Sequence, residues 1–187
     1  MNIVNVGYQS TNYYAIDIQG GKLLVDCGWP GTLPQFTKVL QRKGIELKEF
    51  QYLLVTHFHP DHAGLVQDIK NQGAKLILPE CQKDSIPTFG EHFKGKPFPY
   101  IEIKQNDNIP LKLEESRKFL STLGLNGEII HTSGHSDDSV TLILDEGFAF
   151  TSDLHPSFMN TDDTVTRESW DKIHQHKITR IFPGHGG

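Results

Sequence analysis

Tyr52-Leu53-Leu54-Val55-Thr56-His57-Phe58-His59-Pro60-Asp61-His62 runs from an apolar, strand-like segment straight into three imidazoles and a carboxylate. Along a strand His57 and His62 would face opposite ways, and on a helix His57 and His59 would diverge. In a turn that closes a strand, all four groups can converge on one point. Imidazole nitrogens and carboxylate oxygens are what a borderline divalent cation such as zinc takes as ligands. A His-rich polar loop is the competing account in a chain with 10 His among 187 residues. The positions of further donors decide between the two. His135 follows the run Glu128-Ile129-Ile130, Asp153 follows Phe148-Ala149-Phe150, and His185 follows Ile181-Phe182. Each lies just past a strand-like run, and His135 and His185 have glycine neighbours that permit close backbone approach. Seven donors at one sheet edge are enough for two metal ions.

The remaining sequence bounds the setting. Apolar content is 36%, charged content 22% and net charge −5, with no Lys/Arg run. These values point to an ordinary globular chain and away from a nucleic-acid surface, which needs a basic stripe. No apolar stretch approaches the roughly 20 residues of a membrane span, and the N-terminus lacks the basic and apolar regions of a secretory signal. Cys27 and Cys81 are too few for a disulfide framework. Free thiols in a reducing cytoplasm are expected. Length predicts a single domain over 1–187.

Strands are expected at 3–6, 13–18, 22–25, 52–55, 75–78, 128–132, 140–144, 148–151 and 180–182. Helices are expected at 34–43, 63–72, 114–123 and 167–175. Between Pro79 and Pro110, the spread of Pro87, Gly90, Gly95, Pro97 and Pro99 predicts an irregular insertion or lid. Strand-rich halves with interspersed helices predict layered α/β or α+β packing.

The motif Thr56–His62, followed in order by His135, Asp153 and His185, resembles the metallo-β-lactamase-fold hydrolase superfamily. Val25-Asp26-Cys27-Gly28 resembles the family's early Asp-x-Gly, and the likeness runs from near residue 3 to the C-terminus. The resemblance implies an α+β fold, a four-layer αβ/βα sandwich of two mixed sheets with helices on the outer faces. It implies two divalent metal ions, zinc foremost with iron or manganese as alternatives. His57, His59 and His135 would hold the first; Asp61, His62 and His185 would hold the second; Asp153 would bridge both. A metal-bridging hydroxide, oriented by Asp61, would then cleave a small ester, thioester or lactone. The two cations, less the charges of Asp61, Asp153 and hydroxide, leave a core of about +1 that favours a small anionic substrate. Asp26, His131 and Ser136 would hold the ligands from behind.

Departures from subfamily patterns narrow the class. Asp153 argues against true β-lactamases, and no Tyr follows it as in quorum-quenching lactonases, where His155 and Phe158 stand instead. The further helical region of glyoxalase II and the basic arm of tRNA-processing nucleases are not seen. Retention of His59 argues against flavin-partnered di-iron members, which carry Glu there. What remains is a small glyoxalase II-like or lactonase-like hydrolase of undetermined substrate, expected to be cytoplasmic and to bind neither nucleic acid nor membrane. Alternatives are a mononuclear iron, persulfide dioxygenase-like oxidoreductase and a phosphodiesterase. Specificity is expected from 79–110 and the loop Trp29–Gly31, with Lys94, Lys96 and His155 as candidate substrate contacts.

Overall fold

A computed structural model describes residues 1–155 and 163–186. Six strands form the first sheet in sequential order: β1 (Ile3–Asn5), β2 (Tyr14–Ile18), β3 (Gly21–Val25), β4 (Phe50–Leu54), β5 (Lys75–Pro79) and β6 (Ile109–Leu111). Its first three strands pair antiparallel and the rest parallel. The second sheet has the order β10 (Arg180–Pro183), β9 (Phe148–Ser152), β8 (Val140–Leu144), β7 (Gly127–His131). Both sheets are mixed, and the metallo-β-lactamase sandwich is the fold observed.

Alternation along the strands explains the layering. In β3 and β4, Leu23, Val25 and Leu54 point toward the second sheet, where they meet Ile129, Leu142, Leu144 and Phe150. Their neighbours Leu24 and Leu53 point the other way, into a core shared with Phe36 and Leu40 of α1 (Leu33–Arg42). The outer face of the second sheet puts Ile143 and Ala149 under Trp170 and Ile173 of the last helix, Thr164–His174. Strands buried on both faces read as continuous apolar runs, as Val140–Leu144 does.

Two expected elements differ. The helix expected over 63–72 is two short pieces, α2 (Pro60–Ala63) and α3 (Val66–Lys70). Half of the ligand turn is therefore helical: Pro60 occupies the first helical position, where its missing N–H costs nothing. Segment 79–110 is also not irregular throughout. It contains α4 (Ser85–Phe93) and β6, and Ile86, Phe89 and Phe93 are buried in the main core. Pro87 falls in the first turn, where it is tolerated, and burial on one face offsets Gly90, which costs about 1 kcal/mol in a helix interior. Phe89 packs edge-on against Phe58 of the ligand turn at 5.8 Å, so this segment is a structural wall of the site. The fifth helix, α5 (Ser116–Thr122), contributes Leu120 to the inter-sheet core, and the helix Thr164–His174 is α6. No helix among the described residues is long and apolar enough to cross a membrane.

If α4 is core, Phe89→Ala lowers unfolding stability by about 3 kcal/mol, a typical cost of emptying a buried aromatic site. Lys94→Ala, in an exposed ion pair with Glu91, leaves the urea midpoint unchanged.

Candidate metal centre

The strand ends converge as their order requires. β7 and β9 both run antiparallel to β8, and β10 runs parallel to β9, so the loops after β7, β9 and β10 emerge on one side. A backbone bond joins this edge to the first sheet, Val140 N donating to Thr56 O at 2.8 Å, and within the first sheet's own loops Cys27 N donates to His62 O at 2.8 Å. The two ends of the chain meet here too, since Asn12 N donates to Gly184 O at 2.7 Å.

All seven candidate donors are brought together in two groups, His57/His59/His135 and Asp61/His62/Asp153/His185. Within each group the donor atoms lie within 4.8 Å of one another. His59 Nδ1 and His135 Nε2 are 3.0 Å apart. One oxygen, Asp153 Oδ2, is 3.3 Å from Nε2 of both His62 and His185, 3.6 Å from that of His135 and 4.0 Å from that of His57. It belongs to the second group and lies within 4.0 Å of two ring nitrogens of the first, those of His57 and His135. Asp61 Oδ2 lies 3.1 Å from His185 Nε2 and accepts a bond from the Thr11 hydroxyl at 3.2 Å. Gly184 lets this packing occur: a Cβ there would lie 2.3 Å from Asp153 Oδ1 and 2.8 Å from the His62 ring.

Divalent cations fit this donor set. His57 and His62 are fully buried, and the Nε2 of each has no hydrogen-bond partner, a costly state for a buried polar atom. Their other ring nitrogens are engaged. His62 Nδ1 lies 2.8 Å from Asp26 Oδ2, and His57 Nδ1 lies 3.1 Å from Ser152 Oγ, which is 2.6 Å from Thr56 Oγ1. Thr56 Oγ1 also donates to Asp26, at 2.8 Å to Oδ2. The Thr56 hydroxyl faces both Asp26 and Ser152, and Ser152 Oγ meets His57 Nδ1, so one chain of polar contacts runs from Asp26 to the His57 ring. The Nε2 atoms of His57 and His62 both face the donor cluster, on the side of Asp153. Asp26 and Ser152 both adopt positive φ, 61° and 52°, a strained backbone for residues other than glycine.

Charge follows geometry. Burial, reinforced by the neighbouring imidazoles His62, His59 and His135, holds His57 well below the usual histidine range, so it is neutral. Burial also opposes a charge on His62, but Asp26, Asp153 and Asp61 overcome it and push that imidazole up to about 12. Burial opposes ionisation of Asp61 and Asp153 as well. Attraction to the nearby His62 ring outweighs it and holds both carboxyls below their usual range.

The remaining positions divide. Ser136 donates to Asp138, whose Oδ2 accepts from Phe58 N at 2.9 Å, so Ser136 supports the ligand turn through one intermediary. His131 does not stand behind a ligand. Its Nε2 is 2.7 Å from Asp137 O and 3.0 Å from Ser133 Oγ, which clips its own loop. The His155 ring is 6.0 Å from the His135 ring, beside the centre. Lys94 pairs with Glu91 and faces a different cavity, and Lys96 reaches only His92. Neither lies at the donor cluster; both sit past the end of α4. Gly31 and Pro99 do touch, so the two segments expected to set specificity are neighbours. Phe158 lies outside the described residues.

Sequence reasoning misses Gln82, fully buried, whose Nε2 donates to the carbonyls of Val55 at 2.9 Å and of Thr56 and Asp138 at 3.1 Å. It ties the start of the ligand turn to the loop that carries His135. A polar residue between two predicted elements gives no pattern to find. Thr11 and Ser152 are missed for the same reason.

Asp26→Ala, which removes the acceptor behind His62 and Thr56, lowers zinc affinity about 10–100-fold, as competition with a chromogenic chelator reads. Asp26, Asp153 and Asp61 raise His62, and its proton must leave before Nε2 can bind a cation, so zinc binding near pH 7.5 releases protons. Calorimetric titration in buffers of different ionisation enthalpy measures the release.

Comparison with known proteins agrees with the geometry. The sequence profile described as the metallo-beta-lactamase superfamily matches residues 6–185. A protein named beta-lactamase-like protein 2 homolog from Drosophila melanogaster is 32% identical over 186 residues, 95% of this chain and 59% of that protein. The Caenorhabditis elegans protein of the same name is 27% identical, over 95% of this chain and 56% of its own. The chain thus spans under six-tenths of the length of these relatives. Among solved structures, a metallo-beta-lactamase family protein from Thermus thermophilus superposes with TM-score 0.73 at 20% identity, covering 100% of this chain and 73% of that one. The subclass B3 metallo-beta-lactamase BJP-1 of Bradyrhizobium japonicum does so with TM-score 0.71 at 20% identity, over 98% and 75%. With these matches laid over the two sheets and the converging His/Asp turns, the chain belongs to the metallo-beta-lactamase superfamily.

Proposed function

We propose that the protein is a dinuclear metal-dependent hydrolase acting on a small ester, thioester or lactone. The observation that carries this reading is Asp153 Oδ2, within 4.0 Å of ring nitrogens from both donor groups, the place of a ligand shared by two ions. Two divalent ions, zinc foremost, would supply Lewis acidity at the scissile carbonyl and acidify water for attack near neutral pH. The residues provide the rest. His57, His59 and His135 would hold one ion; Asp61, His62 and His185 would hold the other. Asp61 stays ionised well below neutral pH, which makes it a weak base, so it would orient the attacking water as an acceptor while Thr11 holds its carboxylate. His155, beside His135, is placed to meet the substrate. Because the relatives extend beyond the matched stretch, thioesters of the glyoxalase II kind stay in the substrate set.

A panel of esters, thioesters, lactones and phosphodiesters, assayed with metal quantified, tests the reading. The expected result is two zinc ions per chain and turnover abolished by chelation and restored by zinc. Asp153→Ala should lower the metal content and cut kcat by about 100-fold or more. One iron per chain, with oxygen consumed on a persulfide, would overturn it in favour of the dioxygenase reading. Turnover confined to phosphodiesters would replace the substrate class.

A further inference from the structure

Two carboxamide side chains hold the donor-bearing segments from outside the donor cluster. Gln82 ends the short helical turn Glu80–Gln82 after β5 and is fully buried. Its Nε2 faces Val55 O at 2.9 Å and Thr56 O and Asp138 O at 3.1 Å. The first two carbonyls open the turn that carries His57 and His59; the third lies in the loop that carries His135. The Oε1 of the same amide is buried without a hydrogen-bond partner among the described residues, which costs stability and which an apolar side chain would avoid. What the amide gains lies on its N–H side, in bonds to the segments of the first donor group. There His59 Nδ1 and His135 Nε2 lie 3.0 Å apart, though 76 positions separate them in sequence. Asn12 stands in the same relation to the other group. Its Nδ2 donates to Pro183 O at 3.0 Å and Gly186 O at 2.6 Å, and its N to Gly184 O at 2.7 Å, so its bonds fall on both sides of His185. Its Oδ1 accepts from Asn5 Nδ2 of β1 at 2.8 Å.

We propose that Gln82 and Asn12 are positioning residues that set the two metal affinities separately, Gln82 that of the His57/His59/His135 ion and Asn12 that of the ion held in part by His185. The proposal rests on the dinuclear reading and divides control of that centre between two residues that are not themselves ligands. When donors come from separate segments, an ion that must order those segments binds more weakly than one that finds them in place. His57 and His59 share one turn, so the approach of the His135 loop is the variable quantity for the first ion, and Gln82 fixes it. His62 is held by Asp26 at 2.8 Å, so for the second ion the variable quantity is the His185 segment, which Asn12 fixes. Either carboxamide can be replaced without altering a donor side chain.

The test titrates chelator-buffered zinc into the metal-free chain carrying isotope-labelled histidine, whose ring-nitrogen NMR resonances follow each ligand separately. Gln82→Met keeps the side chain's size and removes its donors. In it the zinc midpoint read at His57, His59 and His135 should weaken about tenfold, the low end for a residue that supports a ligand from behind. The midpoint read at His62 and His185 should hold to within about twofold. Asn12→Ala should reverse the pattern. A merely structural role would lower the melting temperature of the metal-free protein and leave both midpoints in place, and that result would overturn the proposal. Equal weakening of both ring sets in either variant would overturn it too. Should Gln82→Met not fold, Gln82→Asn, which keeps the amide one methylene short, is read against the same outcomes. No substrate enters the titration, so failure to hydrolyse anything leaves the midpoints readable. Loss of the dinuclear reading shows in the wild type, as one ring set that never responds to zinc, whereas loss of this proposal shows only in the variants.

Discussion

A buried carboxylate, Asp26, organises this molecule. Only 2% exposed, it accepts the Thr56 amide at 2.7 Å and the Thr56 hydroxyl, and it lies 2.8 Å from His62 Nδ1. An unpaired charge at that depth would cost several kcal/mol, so its partners are as constrained as it is. One carboxylate therefore fixes the first residue of the ligand turn and the last, and through Thr56 and Ser152 it reaches the ring of His57. The left-handed backbone at Asp26 and Ser152 is strain borne at the points where these side chains must aim inward.

The sandwich supplies the convergence that no single segment could. Donors from β4, β7, β9 and β10 meet because two sheets face each other with those strand ends on one edge. The edge is sewn shut by Val140 N to Thr56 O and by Asn12 N to Gly184 O. Gln82 adds a side-chain clamp between the same two sheets' loops. The placement of the ligands then follows from backbone pairing and packed cores, which resist deformation.

How much of this was legible depends on whether a residue belongs to a pattern. The sheets were readable because runs such as Val140–Leu144 and Tyr52–Val55 are apolar and bounded. The ligand turn was readable because four donors are neighbours in sequence. His135, Asp153 and His185 each sit at a strand end, and the structure brings all three to that turn. Helix α4 was obscured by Pro87 and Gly90, whose local cost is repaid by Ile86, Phe89 and Phe93 only once the first sheet is present. Gln82, Ser152 and Thr11 are single polar residues whose partners lie 26 or more positions away, so no local rule reaches them. Lys94 and Lys96 were attractive because they are basic, but basicity says nothing about the direction of a side chain past a helix end.

The donor cluster is graded in depth, and the grading has a consequence. The side chains of His57 and His62 are fully buried, those of Asp153 and Asp61 are 13% and 17% exposed, and those of His135 and His185 are 23% and 40% exposed. The deep rings are braced by side chains tied to Asp26, within a core that cannot shift without opening a cavity. The outer ring of His185 is braced by one backbone carbonyl, Ser10 O, at 2.8 Å. Ions must enter from the exposed side, where the ligands that have to move are the ones least restrained. The deep half is preorganised without metal, because hydrogen bonds at Nδ1 already hold its rings with Nε2 facing inward. The outer half depends most on the ion for its order, which places any adjustment to substrate on the His135 and His185 side of the centre and keeps the Asp26 side fixed.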